Sequence, residues 1–389
     1  MEPTRLDALA RTLSTTDLAP SRRGLLSGLA GGVAGLAGLS LLDDADAKKK
    51  KGKGNKKKCS KKKRKAGKCG GSGGGGGPTP YDGPVFGING RSIVDTNGNT
   101  LLIRGVNKMS VFDDDDRHGD GYFPEIAKSG ANSVRIVWQQ DTDRSFADLD
   151  AVITNCRNNG MLPMIELHDA TGRLDLVPGL VNHWTSPGML EVIFKHSAYL
   201  LVNIANEAGD ENTTTQQWVN TYTSAVRQMR GAGIRTPLII DAPEYGKSSD
   251  KMVAGLGDLL AVDANLAFSF HPYWGINEGA DSAFISAKFK AAYETGACVI
   301  VGEFSKWGAY AGEGKSICQG DGLCDYMSIM GTANTRKFPW YAWEWGPGNE
   351  YGDPGCAAMD MTTDGTFASR KGDWVTPVIQ NLAGAPKIF

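Results

Sequence analysis

Eight short runs of near-continuous apolar residues mark the chain beyond residue 100: Leu101–Val106, Asn132–Val137, Met161–Leu167, Leu200–Ala205, Pro237–Asp241, Leu266–Phe270, Val299–Gly302 and Pro339–Trp343. Runs of this length without polar alternation belong to strands covered on both faces, as in a parallel sheet. Between them lie stretches with helical periodicity, among them Phe123–Ser129, Phe146–Asn159, Thr215–Gly231, Ser282–Thr295 and Asp325–Arg336. Strand and helix in this alternation predict an α/β fold, closed as a (β/α)8 (TIM) barrel rather than left as an open doubly wound sheet. No glycine-rich phosphate loop follows the first run, which argues against a dinucleotide fold. Val85–Asn89 and Ser92–Asp95, with Asn97-Gly98 beyond, read as a small hairpin that precedes the barrel and plugs its base.

Composition changes this picture at the N-terminus. The 389 residues carry a net charge of -1, but the balance is uneven. Eighteen of the 42 basic residues and six of the 43 acidic ones fall within residues 1–77, which leaves that segment at +12 and the remainder at -13. Within it, Ser21-Arg22-Arg23-Gly24-Leu25-Leu26 sets an arginine pair before a glycine-rich apolar run, Leu25–Leu42, and Ala45-Asp46-Ala47 offers a small-x-small cleavage site. Residues 1–47 therefore read as a twin-arginine-type export signal, and the mature protein is expected to be secreted or held in the cell envelope. The alternative is an uncleaved membrane anchor, against which stand the interrupting glycines and the lysine-rich flank that follows. Residues 48–69 are mostly lysine and 70–77 nearly all glycine. Neither can build a core, so 48–77 read as a disordered linker. With no aromatic residue to stack on a base, the tract suits an anionic cell-wall or lipid surface, or a plain solvated spacer, better than nucleic acid. Residues 78–389 remain as the barrel domain, expected to be monomeric.

Seven cysteines fit an exported protein, although the count is odd. Cys59 and Cys69 bracket the end of the lysine tract and can close a small loop. Cys318 and Cys324 share a glycine-rich loop and are the preferred disulfide, with Cys356 a competitor for either. Cys156 and Cys298 read as buried thiols. The spacings match no structural zinc site.

The chemistry gathers at the strand ends. Leu201-Val202-Asn203-Ile204-Ala205-Asn206-Glu207 is an apolar run that stops in an amide and a carboxylate, and Val299-Ile300-Val301-Gly302-Glu303 repeats the pattern. In a closed parallel barrel all strand C-termini converge on one face, so Glu207 and Glu303 meet there. Two carboxylates about 5 Å apart are what retaining glycoside hydrolysis needs, one as nucleophile and one as acid, then base. Arg135 lies inside the second apolar run, where a guanidinium is costly unless it meets a carboxylate. His168, His271-Pro272-Tyr273-Trp274 and Trp343-Glu344-Trp345 close three further runs. Trp138, Trp274, Trp307, Trp340, Trp343 and Trp345 are all expected at or near the same face, at most half of them against sugar.

Taken in order, Arg135, Ile165-Glu166-Leu167-His168-Asp169-Ala170-Thr171-Gly172, Asn203-Ile204-Ala205-Asn206-Glu207, His271, Tyr273 and Gly302-Glu303-Phe304 resemble family 5 glycoside hydrolases of clan A. Among these, the match is closest to the bacterial endo-β-1,4-mannanases of subfamily 8. The resemblance spans residues 84–345. It implies Glu207 as general acid/base, Glu303 as nucleophile, and Asn206 on the sugar 2-hydroxyl. It further implies that Arg135 and Tyr273 support the nucleophile and that His168 and His271 order the polar network. Trp343 would be the floor under the sugar, with Trp345 beside it in the binding site. The implied partner is a β-1,4-linked polysaccharide or oligosaccharide, with no cofactor and no metal.

The chain departs from that pattern after the first strand, where Lys108-Met109-Ser110 and Asp113-Asp114-Asp115-Asp116-Arg117-His118 replace histidine and aromatics. The difference falls on the substrate face, so cellulose or a mixed β-glucan stays open as substrate. The acidic run reads as a solvated loop, with calcium binding the alternative. Two other classes compete. A metal-dependent barrel hydrolase would draw ligands from His168, Asp169, His271 and the glutamates, but the first strand lacks the histidine pair such barrels commonly carry. An inactive carbohydrate-binding barrel would usually have lost one carboxylate, and both are present. One expectation concerns the extension. A chain beginning at Pro78 should keep its full rate on a soluble oligosaccharide, and loss of most of that rate would refute the linker reading.

Overall fold

The computed structural model describes residues 77–310, 317–318, 321–349 and 354–389. The export-signal reading of 1–47, all but the last residue of the 48–77 linker, and Cys59 and Cys69 lie outside the described residues. From the N-terminus, β1 (Gly87–Asn89) and β2 (Ser92–Val94) pair antiparallel as a hairpin. Eight parallel strands follow: β3 (Arg104–Lys108), β4 (Ser133–Trp138), β5 (Leu162–Leu167), β6 (Leu201–Asn203), β7 (Leu238–Asp241), β8 (Leu266–Phe270), β9 (Val299–Val301) and β10 (Trp340–Ala342). They close into one barrel, each strand paired with the next and β10 with β3. Every residue of these eight strands is buried, as the apolar runs demand.

Alternate residues of each strand face the barrel interior, and along that face the chemistry changes. Leu162, Met164, Leu201, Ile239, Ala267, Ile300 and Tyr341 pack into one apolar cluster, joined by Phe86 and Ile93 of the hairpin segment. The hairpin thus closes the base of the barrel. Two residues further along the same strand faces come Glu166 after Met164, Asn203 after Leu201 and Asp241 after Ile239. The upper interior is therefore polar. Gly105 is required in the apolar layer below, since a Cβ on it would lie 2.4 Å from the Tyr341 ring. That ring in turn reaches across to Ser133, hydroxyl to hydroxyl at 2.8 Å.

The second apolar cluster fills the space between the strands and the helices: α1 (Tyr122–Ala127), α2 (Phe146–Asn158), α3 (Val177–Trp184), α4 (Pro187–His196), α5 (Thr215–Gly231), α6 (Ser249–Leu260), α7 (Ser282–Glu294), α8 (Tyr326–Arg336) and α9 (Val375–Leu382). Capping boxes start α2 at Ser145 with Asp148 and α5 at Thr214 with Gln217. Each satisfies backbone amides that the first helical turn leaves without partners. α3, α4, α6 and α9 are not among the helical stretches named from periodicity. In α3 and α4 the reason is physical: Pro178-Gly179 and Pro187-Gly188 resemble turn signals, yet proline is tolerated in the first helical turn, where it stands in both.

Two expectations are corrected. Cys318 bonds Cys356, not Cys324, with Cα atoms 4.8 Å apart. Cys324 is a buried thiol whose backbone is committed elsewhere: its amide donates to the Lys306 carbonyl at 2.9 Å, and it bridges Gly275. Trp340 opens β10 at full burial, and its indole donates to Asn334 at 2.9 Å, away from the strand C-termini. The disulfide joins the loop after β9 to the loop after β10. Closing a loop of 38 residues in sequence should stabilise the fold by about 2–4 kcal/mol. Peptide mapping without reductant should show Cys318 linked to Cys356 and Cys324 free to alkylate after unfolding. A peptide linking Cys318 to Cys324 would contradict the pairing.

Candidate active site

The polar upper interior is built around Arg135 on β4, which is fully buried. Its guanidinium donates Nε to Asn203 Oδ1 at 3.0 Å, Nη1 to Asn107 Oδ1 at 3.0 Å and to Glu303 Oε1 at 2.8 Å, and Nη2 to Asn206 Oδ1 at 2.7 Å. Glu166 and Asp241 approach the same group at 3.7 and 3.5 Å. Burial alone would weaken the guanidinium's hold on its proton, but Glu166, Glu303 and Asp241 outweigh it and keep the charge. Asn107 and Asp241 join the site from the structure alone, and Glu166 and Asn203 gain a role beside the motifs that contain them. Asp241 carried the same signature as the two glutamates, a carboxylate closing an apolar run.

Glu303 follows β9. Its second oxygen accepts from the Tyr273 hydroxyl at 3.0 Å. Burial pushes its pKa up; His271, Arg135, His168 and the Tyr273 hydrogen bond together pull it further down, so it lies below the ordinary glutamate value. Glu207 follows β6 with φ of 48°, its amide held by Asp241 at 3.1 Å and its Oε1 by His271 Nδ1 at 2.7 Å. Its pKa is raised, by burial first and by the neighbouring Glu303 charge, against the opposing hydrogen bond from His271. The two carboxyl groups are thus driven in opposite directions. An oxygen of Glu207, an oxygen of Glu303 and a ring nitrogen of His271 lie within 4.8 Å of one another. Behind Glu303, Gly302 leaves the space that His271 needs: a Cβ there would lie 2.6 Å from His271 Nε2.

The remaining residues sort clearly. Asn206 turns its amide nitrogen to Thr171 at 2.9 Å, with His168 Nε2 at 3.4 Å. His168 is tied to Glu166 at 2.8 Å; burial opposes its positive charge, but Glu166 prevails and its pKa is raised. Trp343 stacks on His168, ring centres 5.8 Å apart. One cavity opens between these groups, lined by His168, Thr171, Asn206, Glu207, Tyr245, Lys247, Tyr273, Glu303, Gly308, Ile317, Trp343, Asn349 and Met359. Arg135 and His271 lie behind it. Trp345 does not reach it: its ring is fully buried, and its indole donates to the Gly365 carbonyl at 2.8 Å. β10 has ended at Ala342, so strand periodicity does not carry from Trp343 to Trp345, whose amide donates to the Asn107 carbonyl at 2.9 Å and whose carbonyl accepts the Thr362 amide at 3.1 Å.

Glu207, His271 and Glu303 are the group, among the described residues, with spacing for a metal ion. Both Glu303 oxygens are engaged, by Arg135 and by Tyr273, and Glu207 Oε1 is held by His271 Nδ1. Asp169 points elsewhere, accepting from the Gln140 amide at 3.2 Å. The acidic loop is also committed: Asp113 pairs with buried Lys108 at 3.0 Å, Asp114 with Arg144 at 3.1 Å, and Asp116 accepts the amides of Asp120, Gly121 and Tyr122.

A scan against protein-family models matches residues 94–349 to the cellulase family, glycosyl hydrolase family 5. The chain is 32% identical over 282 residues to a mannan endo-1,4-beta-mannosidase of Streptomyces lividans, covering 68% of this chain and 67% of that protein. A mannan endo-1,4-beta-mannosidase of Cellvibrio japonicus is 25% identical over 315 residues, covering 77% and 66%. The chain thus spans about two thirds of the length of both relatives. The fold superposes on the crystal structure of a beta-mannanase from Streptomyces thermolilacinus with mannohexaose at a TM-score of 0.66, with 24% identity over 78% of this chain and 97% of that one.

The charge network makes a prediction about stability. His271 is fully buried, which disfavours its charge, but Glu303, Asp241 and Glu207 raise its pKa from 6.5 to about 9. A raised folded-state pKa stabilises fully below 6.5, and that contribution disappears as pH rises through about 9. The thermal midpoints of the wild type and His271→Asn should therefore converge between those pH values, by up to about 3 kcal/mol of stability. A constant gap across that window would show that His271 is not charged.

Proposed function

The chain belongs to glycosyl hydrolase family 5, and from that premise we propose that it is a retaining endo-β-1,4-mannanase. The observation that carries the mechanism is the pair of oppositely tuned carboxyl groups no more than 4.8 Å apart at their nearest oxygens. Inverting enzymes need room for a water between their carboxyl groups, about 6.5–9.5 Å, whereas direct attack needs about 5 Å. Glu303, ionised and aimed by Arg135 and Tyr273, attacks the anomeric carbon. Glu207, protonated, gives its proton to the departing glycosidic oxygen. Once Glu303 is esterified its charge is gone, the pKa of Glu207 falls, and the same group accepts a proton from the incoming water. Asn206 and Trp343 line the cavity beside Glu207, which supports Asn206 as the partner of the sugar 2-hydroxyl and the Trp343 ring as the floor under the pyranose.

Mannan is favoured as substrate because the two relatives described above are mannan endo-1,4-beta-mannosidases. The Lys108–His118 departure bears on this less than its sequence suggests, since none of those residues is among the lining of the cavity around the glutamates. For residues 1–47 we keep export as the proposed role, supported by the arginine pair and the Ala45-Asp46-Ala47 site.

Purified protein should cleave galactomannan with kcat/KM at least tenfold above carboxymethylcellulose and barley β-glucan, about 1.4 kcal/mol of discrimination. Proton NMR should show the β-anomer first at the new reducing end. The pH profile should fall on the acid side below 4.5 as Glu303 is protonated and on the alkaline side above 4.5 as Glu207 ionises. Preference for either glucan would overturn mannan specificity alone; an initial α-anomer would overturn the double displacement.

A further inference from the structure

The loop after β10 carries a polar chain that the catalytic mechanism does not use. The Trp343 indole, whose single donor is its Nε1–H, gives that hydrogen to Asn349 Oδ1 at 2.8 Å. Asn349 Nδ2 donates in turn to Asp360 Oδ1 at 2.6 Å. The Asp360 carboxylate, 2% exposed, also accepts the backbone amides of Asn349 at 3.3 Å and Gly348 at 3.4 Å. The loop is folded back to bring it there: Met361 N donates to the Glu344 carbonyl at 2.9 Å and Thr362 N to the Trp345 carbonyl at 3.1 Å. Gly346 permits the approach, since a Cβ there would lie 2.6 Å from the Asp360 Cβ.

We propose that Asn349 and Asp360 are positioning residues that hold the Trp343 indole in the plane on which the sugar lies. The logic is one of donors and acceptors. An indole nitrogen only donates, and a carboxylate receiving two backbone amides only accepts. An amide side chain between them has one orientation that satisfies both, so Asn349 cannot flip and the indole cannot swing without stranding a donor. His168 covers one ring face and the Phe304 carbonyl anchors the Trp343 amide at 2.9 Å. The remaining freedom of the ring is rotation about its side-chain bonds, and the Nε1 bond removes it. Asn349 itself lines the cavity beside Trp343, so a misplaced amide would be felt by bound sugar.

This rests on the glycosidase reading, and the test separates the two. With mannohexaose as substrate, Asn349→Ala should lower kcat/KM about tenfold, chiefly through KM, since it loosens a binding platform and leaves both glutamates in place. In a Trp343→Phe background, which has no indole donor, the same substitution should change kcat/KM by less than about twofold, because the two residues act as one unit. Asn349→Asp sets two carboxylates in contact and should be poor at neutral pH, recovering as acid supplies a shared proton. Circular dichroism and thermal midpoints establish that each variant is folded. Equal losses from Asn349→Ala in both backgrounds would overturn the proposal. That result leaves the glycosidase reading intact if the wild type cleaves mannohexaose. A wild type inactive on both mannohexaose and cellohexaose would overturn both.

Discussion

A single buried cation organises this molecule. Placing the Arg135 guanidinium at zero exposure inside a barrel carries a desolvation penalty of several kcal/mol, which is offset only if nearly every donor is paired and anions stand close by. The barrel supplies both. Asn107 from β3 and Asn203 from β6 take hydrogen bonds that carry no charge, and Asn206 and Glu303 take those that face the reaction. Removing a partner from such a group costs about 3–5 kcal/mol, because the charge left behind is buried and unanswered. Stability and catalysis are therefore coupled here, since the interaction that makes Arg135 tolerable also holds Glu303 in its ionised state.

Around that cation the formal charges come close to cancelling. Four acidic groups, Glu166, Asp241, Glu207 and Glu303, face three basic ones, Arg135, His168 and His271. In the proposed mechanism Glu207 must hold its proton at the first step, and its raised pKa suits that. Esterifying Glu303 in that mechanism would remove a neighbouring negative charge, one of the causes of the raised pKa, and so favour loss of the proton from Glu207.

Much of this was legible in the chain. Runs of buried strand length, repeated eightfold between helical segments, leave few architectures other than the barrel. The two glutamates stood out because a carboxylate ending an apolar run is costly in most other settings. The rest was hidden for particular reasons. Asn107, Asn203 and Asp241 act through inward-facing positions, and which face of a strand points inward is settled by barrel closure rather than by local pattern. Trp345 shares its neighbourhood with Trp343, yet both lie beyond the end of β10, and contacts with Asn107, Thr362 and Gly365, distant in sequence, bury its ring. The Cys318–Cys356 bond depends on two loops after different strands, so sequence proximity favoured the wrong partner. Asn349 and Asp360 carry no motif at all; their meaning appears only once the loop has folded back.

The central claim, that Glu303 is the nucleophile and Glu207 the acid/base, is tested most directly by azide rescue on an activated aryl β-mannoside. With Glu207→Ala the leaving group needs no protonation, so the glycosyl-enzyme forms and accumulates. Azide, which needs no base, should then attack it and release the β-glycosyl azide. With Glu303→Ala the attack must come from the vacated face, giving the α-azide or no product. An α-azide from the Glu207 variant together with a β-azide from the Glu303 variant would reverse the assignment, and near-normal activity in both variants would contradict the account as a whole.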